Sequence, residues 1–213
     1  MTASLDQLRA RIARIEGIVP DLSAPEERRR VVPTGWPEID GTLPWVGSAG
    51  PGLLGGAVHE ILSPDPDDGA ATGFLLNLAR AFLTARAGAL LWSSCRADLY
   101  GPGLLAAGLD PARIVIARCR TVQDILWSVE EGLAPPGLAV VAAETGPIDF
   151  ALSRRLQLAA TDSGTPLLLL CPTRKSLWPS AAVTRWQVAA APGGRTAVEL
   201  LRCRGGPAGR WVL

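Results

Sequence analysis

The stretch AVHEILSPDPDDGAATGFLLNLARAFLTAR, residues 57–86, decides the fold of this chain. Its first six residues are mostly apolar and predict a β-strand, while the apolar positions over residues 72–86 recur at the spacing of an α-helix. The loop between them, residues 63–69, holds two prolines and three aspartates. A strand, a glycine-containing loop and a helix in this order predict the first half of a βαβ unit.

Strands and helices alternate after this stretch. Further strands are predicted at residues 89–93, 113–117, 138–143 and 166–171, and helices at 104–108, 122–133 and 148–162. The strands at 138–143 and 166–171 are almost entirely apolar, which is typical of parallel strands buried on both faces. The pattern predicts an α/β fold with a mostly parallel twisted sheet and helices on both faces.

The C-terminal part departs from this alternation. Residues 184–190 and 197–203 read as two strands joined by a turn with Gly193 and Gly194, which favours an antiparallel hairpin added to the sheet edge. The 213 residues, 48% of them hydrophobic, are enough for one core. We therefore expect residues 33–213 to form a core domain and residues 1–32 a helix with a linker.

The N-terminal helix is predicted over residues 4–16. Its apolar side chains recur at helical spacing and form one narrow stripe: Leu5, Leu8, Ile12 and Ile15. A stripe of this width is typical of a helix that docks on a partner. The helix can also fold back on its own domain, and the sequence leaves both arrangements open.

Composition excludes several classes of protein. The longest apolar runs fall far short of the ~20 residues that a membrane-spanning helix needs, and the N-terminus lacks the apolar core of a signal peptide. The four cysteines are widely spaced, and His59 is the single histidine, so no metal site is expected. His59-Glu60 does not continue to H-E-x-x-H, and a structural histidine is favoured.

Charge is distributed unevenly along the chain. Residues 31–173 hold eight arginines against fourteen acidic residues, a net charge of −6. Residues 174–213 hold six arginines and one lysine against one acidic residue, a net charge of +6. The basic C-terminal part either faces an anionic partner or places solvated arginines at strand ends.

The loop at residues 63–69 occupies the place of a phosphate-binding loop, G-x-x-x-x-G-K-[ST], whose amides and lysine hold phosphates and whose hydroxyl holds Mg²⁺. Here Ser63 replaces the first glycine, and Ala70 and Ala71 follow Gly69 where the lysine and hydroxyl should stand. Three aspartates add charge that repels an anion: Asp65, Asp67 and Asp68. The loop is therefore interpreted as a degenerate nucleotide loop, with no cofactor.

The other residues that a hydrolytic site needs are also missing or displaced. The strand at residues 138–143 should be followed by a Mg²⁺-binding aspartate, and only Glu144 stands there, one position late. A water-activating glutamate should follow the strand at 89–93, where the chain has Ser94, Cys95 and Arg96. These losses predict a protein without ATPase activity.

Several motifs carry a resemblance to a known family. The run from Thr34-Gly35 to residues 54–61 resembles the entry to the RecA core. Four further stretches, LYGPGL at 99–104, GLDPAR at 108–113, SRRLQLA at 153–159 and ELLRCRGG at 199–206, are similar to the ImuA family. That family comprises RecA-like accessory proteins of damage-induced mutagenesis, often described as related to the cell-division inhibitor SulA.

The resemblance implies partners. ImuA-type proteins act with ImuB, an inactive Y-family polymerase homologue, and with an error-prone polymerase in translesion synthesis. RecA itself places an N-terminal helix on the next protomer, so the helix at 4–16 is expected to serve self-association or binding to RecA. A cytoplasmic protein, associated with the nucleoid when active, is implied. Two alternatives stay open: a divergent DNA-dependent ATPase, and a SulA-like inhibitor of cell division.

The resemblance also points to residues that could contact DNA or a partner. RecA has a long DNA-binding loop where this chain has only residues 172–182, which carry Arg174, Lys175 and Trp178. Such a basic and aromatic mixture holds single-stranded DNA, although Trp178 can instead pack against the sheet edge. The other candidates are basic: Arg154 and Arg155 on a helix, and Arg202, Arg204 and Arg210 near the C-terminus.

Overall fold

A computed structural model describes residues 31–44, 50–65, 69–96, 98–134, 137–173 and 178–213. The predicted N-terminal helix, with Leu5, Leu8, Ile12 and Ile15, lies outside these residues, as do Asp67, Asp68, Arg174 and Lys175. The strands are β1 (Val31–Val32), β2 (Leu53–Leu54), β3 (Val58–Ser63), β4 (Ala89–Ser94), β5 (Ile114–Arg118), β6 (Leu138–Glu144), β7 (Leu167–Pro172), β8 (Thr184–Ala191), β9 (Arg195–Cys203) and β10 (Gly209–Val212). The helices are α1 (Pro37–Asp40), α2 (Ala70–Ala85), α3 (Gly101–Ala106), α4 (Val122–Leu133) and α5 (Phe150–Ser163), with a 3₁₀ turn at Pro111–Arg113.

Eight of these strands form one mixed sheet in the order β10-β9-β8-β3-β7-β6-β4-β5. The six strands from β8 to β5 are parallel, and β8, β9 and β10 pair antiparallel. The predicted fold class is confirmed, including the position of the C-terminal hairpin at the sheet edge. The sequence pattern missed β10, which adds a third antiparallel strand beyond the predicted pair.

Helix α2 covers one face of the sheet, where its side chains Leu75, Leu78 and Phe82 are fully buried against strand residues such as Ile61. It begins immediately after Gly69, whose φ of +70° is a left-handed conformation that favours glycine. The sharp turn at this glycine separates the aspartate-bearing loop from the helix.

Helices α4 and α5 cover the opposite face. The buried side of α4 carries Ile125 and Val129, and that of α5 carries Leu156, all packed in one cluster with β6 and β7 residues such as Val141 and Leu167. Both faces of the central strands are therefore covered by helices, which explains why those strands are continuously apolar.

A two-stranded ladder of β1 and β2 precedes the large sheet. Gly52 allows this ladder to form, because a Cβ atom at Gly52 would lie 2.6 Å from the Val32 carbonyl oxygen. His59 on β3 connects the ladder to the sheet, since its ring nitrogens lie 2.9 Å from the Leu54 carbonyl oxygen and 2.8 Å from Thr184 Oγ1. None of the helices in the described part of the chain is long and apolar enough to cross a membrane.

Candidate functional site

A cavity of about 430 Å³ opens at the carboxyl ends of the parallel strands. Ser63 at the end of β3, Glu144 at the end of β6 and the first turn of α2 contribute to its wall. Apolar side chains form much of the lining, among them Leu76, Trp92, Leu104 and Leu170. In open α/β sheets, ligands bind in crevices at this end of the strands, which makes this cavity the candidate site.

The described part of the loop after β3 is closed by a hydrogen bond within the loop itself. The Ser63 hydroxyl donates to the carbonyl oxygen of Asp65 at 2.8 Å. Ala70 and Ala71 form the start of α2, and Ala71 is buried. The side chains at these two helix positions therefore offer neither a cation nor a hydroxyl to a ligand. Thr72, which the sequence analysis did not single out, also lines the cavity and carries a hydroxyl group.

Glu144 is held by two neighbours, one at the end of β4 and one in the turn that follows it. Ser94 Oγ donates to Glu144 Oε2 at 2.8 Å, and Arg96 Nη1 lies 3.4 Å from Glu144 Oε1. The Glu144 side chain is only 12% exposed. Both carboxylate oxygens are thus engaged by protein groups, which explains how an acidic side chain is accommodated in a wall of largely apolar residues.

Arg96 is a cation on the cavity wall that the sequence analysis did not anticipate. Its Nη2 atom lies 2.6 Å from Asp98 Oδ2, so Arg96 is shared between Asp98 and Glu144. The two carboxylates offset its single positive charge. The signal available in the sequence was its position two residues after the end of β4, because the carboxyl ends of parallel strands share one edge of the sheet.

The C-terminal arginines bind the chain's own carbonyl groups. Arg202 donates to the Ser180 and Ala182 carbonyl oxygens at 2.8 and 3.1 Å, and Arg204 donates to that of Ala181 at 2.9 Å. These contacts fasten the segment that leads into β8. Arg210, in contrast, pairs on the surface with Glu199 of β9 at 2.7 Å.

Trp178 packs beneath the same segment. The guanidinium of Arg185 lies 4.7 Å from the centre of the Trp178 ring and so covers one face of the indole. The Trp178 carbonyl oxygen accepts a hydrogen bond from Arg185 Nη1 at 2.6 Å. Trp178 Nε1 is buried and has no hydrogen-bond partner among the described residues. Trp178 thus packs within the protein, the alternative to DNA contact that the sequence left open. Less of its ring is therefore available to stack on a nucleobase.

The anchor of this arrangement is a buried ion pair that the sequence analysis missed. Arg185 Nη2 lies 2.6 Å from Glu60 Oε2, and both side chains are at most 5% exposed. Ser180 Oγ also donates to Glu60 Oε1 at 2.6 Å and lies 3.0 Å from Ser153 Oγ. An acidic residue inside an apolar strand requires such a partner. The sequence position of Glu60 therefore indicates that a buried partner exists, but it does not identify which residue that partner is.

The two candidate arginines on α5 differ in their surroundings. Arg155 pairs with Glu130 of α4, which links the two helices on their outer side. Arg154, the residue before Arg155 on α5, is exposed. The five described basic candidates lie on different elements of the structure. Arg154 and Arg155 lie on the helical face, whereas Arg202, Arg204 and Arg210 lie on the antiparallel strands or directly after β9.

Comparison with curated proteins finds Protein ImuA of Caulobacter vibrioides in two strains, NA1000 / CB15N and ATCC 19089 / CIP 103742 / CB 15. Each is 35% identical to this chain over 206 residues, with 86% of this chain and 82% of the relative covered. The chain belongs to the ImuA family. This confirms the resemblance carried by the sequence motifs and links the chain to damage-induced mutagenesis. No protein-family model matches the chain.

Proposed function

We propose that this ImuA-family chain is a non-catalytic, RecA-like accessory protein of error-prone translesion DNA synthesis. Its principal partner would be an ImuB-like, inactive homologue of Y-family polymerases, which belongs to an error-prone polymerase complex. The observation that supports a non-catalytic role is the pairing of Glu144 with Ser94 and Arg96 beside a loop that ends in Gly69, Ala70 and Ala71.

Electrostatics supports the same proposal. Two unit charges about 4 Å apart interact by about 4 kcal/mol at an effective dielectric of 20, so a phosphate beside Asp65 is repelled by an amount of this order. Arg96, the one arginine that the described residues place on the cavity wall, already serves two carboxylates. A triphosphate in this cavity would have to separate Arg96 from Glu144 or Asp98 and leave a carboxylate without its cation.

Partner binding is tested by co-purification of the full chain with the ImuB-like subunit. A matched variant that lacks residues 1–20 tests whether the predicted N-terminal helix contributes. We expect the full chain to retain the subunit, and weaker retention by the shortened chain would assign the helix to this contact. Failure of both forms to bind would overturn the proposed partner.

Nucleotide binding is tested separately by isothermal titration with Mg²⁺–ATP. We expect no heat of binding above that of dilution at micromolar to millimolar nucleotide. Saturable binding in the micromolar range would support the alternative of a divergent ATPase. The Arg96→Ala variant is then the control, since loss of that binding would place the nucleotide in this cavity.

A further inference from the structure

Cys95 and Cys119 lie next to each other at the carboxyl ends of two neighbouring parallel strands. The ladder between β4 and β5 pairs Ser94 with Arg118, and the two cysteines are the next residues of each segment. The amide of Cys119 donates to the Ser94 carbonyl oxygen at 3.0 Å. The two backbones therefore remain adjacent one residue beyond the ladder.

This hydrogen bond limits the distance between the two Cα atoms. From the Cys119 Cα the path runs over one N–Cα bond, the hydrogen bond and one peptide unit to the Cys95 Cα. With standard backbone dimensions the two atoms are at most about 7 Å apart. Disulfides join Cα atoms that are roughly 4.4–6.8 Å apart, so a bond between these cysteines requires little movement of the backbone.

The side chains of the two cysteines are also expected on the same face of the sheet. Cys95 and Cys119 lie one residue past the ends of β4 and β5. Continued alternation of side chains between the faces would place Cys95 on the face of Ser93 and Cys119 on the face of Ala117. The register pairs Ser93 with Ala117. Ser93 Oγ lies 2.8 Å from Ser128 Oγ of α4, which identifies the shared face as the one that α4 covers.

The four cysteines differ in exposure. Cys95 is exposed and Cys119 half-buried, whereas Cys171 and Cys203 are buried. Burial raises the pKa of the Cys119 thiol, and the nearby Cys95 and Asp124 raise it further. Cys119 is therefore protonated at neutral pH, and Cys95 is the thiol that an oxidant in solution reaches first.

We propose that Cys95 and Cys119 form a reversible disulfide when the chain meets a peroxide. The peroxide oxidises the Cys95 thiol to a sulfenic acid, its O–O bond breaks, and one water leaves. The Cys119 sulfur then attacks the Cys95 sulfur, and the sulfenic oxygen leaves as a second water. In total the two thiols lose two electrons and two protons, and the peroxide is reduced to water.

The position of this bond connects it to the candidate site. Cys95 stands between Ser94 and Arg96, the two residues that hold Glu144 in the cavity wall. The disulfide would tie this turn to β5, the strand at the sheet edge. Oxidation would thereby restrict the turn beside the cavity, whatever ligand or partner that cavity serves.

Mass spectrometry of the full chain tests the proposal. The protein is treated with hydrogen peroxide, free thiols are blocked with N-ethylmaleimide, and the product is digested with trypsin without reduction. Cleavage after Arg86, Arg96, Arg118 and Arg120 gives peptide 87–96 and dipeptide 119–120. We expect these two to be crosslinked, and dithiothreitol to separate them.

Three variants serve as controls. The crosslink should disappear in Cys95→Ser and Cys119→Ser and persist in Cys203→Ser, whose cysteine is buried elsewhere. Oxidation of Cys95 to sulfinic acid with Cys119 still alkylatable would overturn the proposal. So would a main product that joins Cys95 residues of two chains. Slower hydrogen exchange of the β5 amides in the oxidised protein would support the restriction of this edge.

Discussion

At the scale of single residues, His59 makes stability depend on pH. Burial lowers its pKa to about 4, partly opposed by the hydrogen bond with the Leu54 carbonyl. In the unfolded chain the imidazole has its ordinary pKa of about 6.5. When the pH falls below 6.5, His59 binds a proton in the unfolded state but not in the folded state. The contribution of His59 to stability is therefore lost between about pH 6.5 and pH 4.

We expect this contribution to amount to about 3 kcal/mol. It is measured by urea unfolding at several pH values, with His59→Gln as the variant that cannot titrate. The two proteins should converge in stability as the pH falls, and parallel curves would contradict the prediction. Because the chain has one histidine, its imidazole proton resonance gives a second measurement that needs no variant.

At the scale of elements, helix α4 has a complete capping box at its start. The Thr121 hydroxyl accepts from the Asp124 amide at 3.1 Å, and Asp124 Oδ2 accepts from the Thr121 amide at 2.9 Å. The backbone hydrogen bonds from Arg120 and Thr121 are the main cause of the lowered pKa of Asp124. The box fixes where the helix begins.

Thr121→Ala is therefore expected to lower the free energy of unfolding by about 1 kcal/mol. Gln123→Ala, an exposed position in the same turn, is the matched control and should change stability little. Urea unfolding of both variants checks this. Equal effects of the two substitutions would show that the hydroxyl cap is not the cause.

At the scale of the whole molecule, two arginines of the basic C-terminal part, Arg202 and Arg204, bind carbonyl groups of the chain itself. Arg202 donates to two carbonyl oxygens of the segment before β8. Arg202→Ala should lower the free energy of unfolding by about 1–2 kcal/mol, because each lost hydrogen bond costs about 1 kcal/mol. Arg154→Ala, at an exposed position on α5, is the control and should leave stability unchanged. If Arg154→Ala destabilised the protein as much, the carbonyl contacts would not explain the loss.

Local sequence patterns predicted the alternating core well, because strand and helix periodicities there agree with burial. These patterns failed where contacts between distant parts of the chain determine the structure. β10 is short and flanked by glycine and proline, and it packs through Trp211, whose ring centre lies 6.4 Å from that of Trp186. The interpretation of residues 63–71 as a degenerate nucleotide loop rests on residue types alone and stays a prediction. The partner of Glu60 could not be identified from the sequence, because Arg185 lies 125 residues further along the chain.

The position of β3 has a consequence for synthesis on the ribosome. Both neighbours of this apolar strand, β7 and β8, come from the C-terminal half of the chain, and His59 meets Thr184 across 125 residues. At roughly 5–20 residues per second, the nascent chain carries an unpaired β3 for on the order of 10 s. During that interval β4, β5 and β6 can already pair with one another. β3 is therefore covered at both edges only after β7 and β8 have emerged.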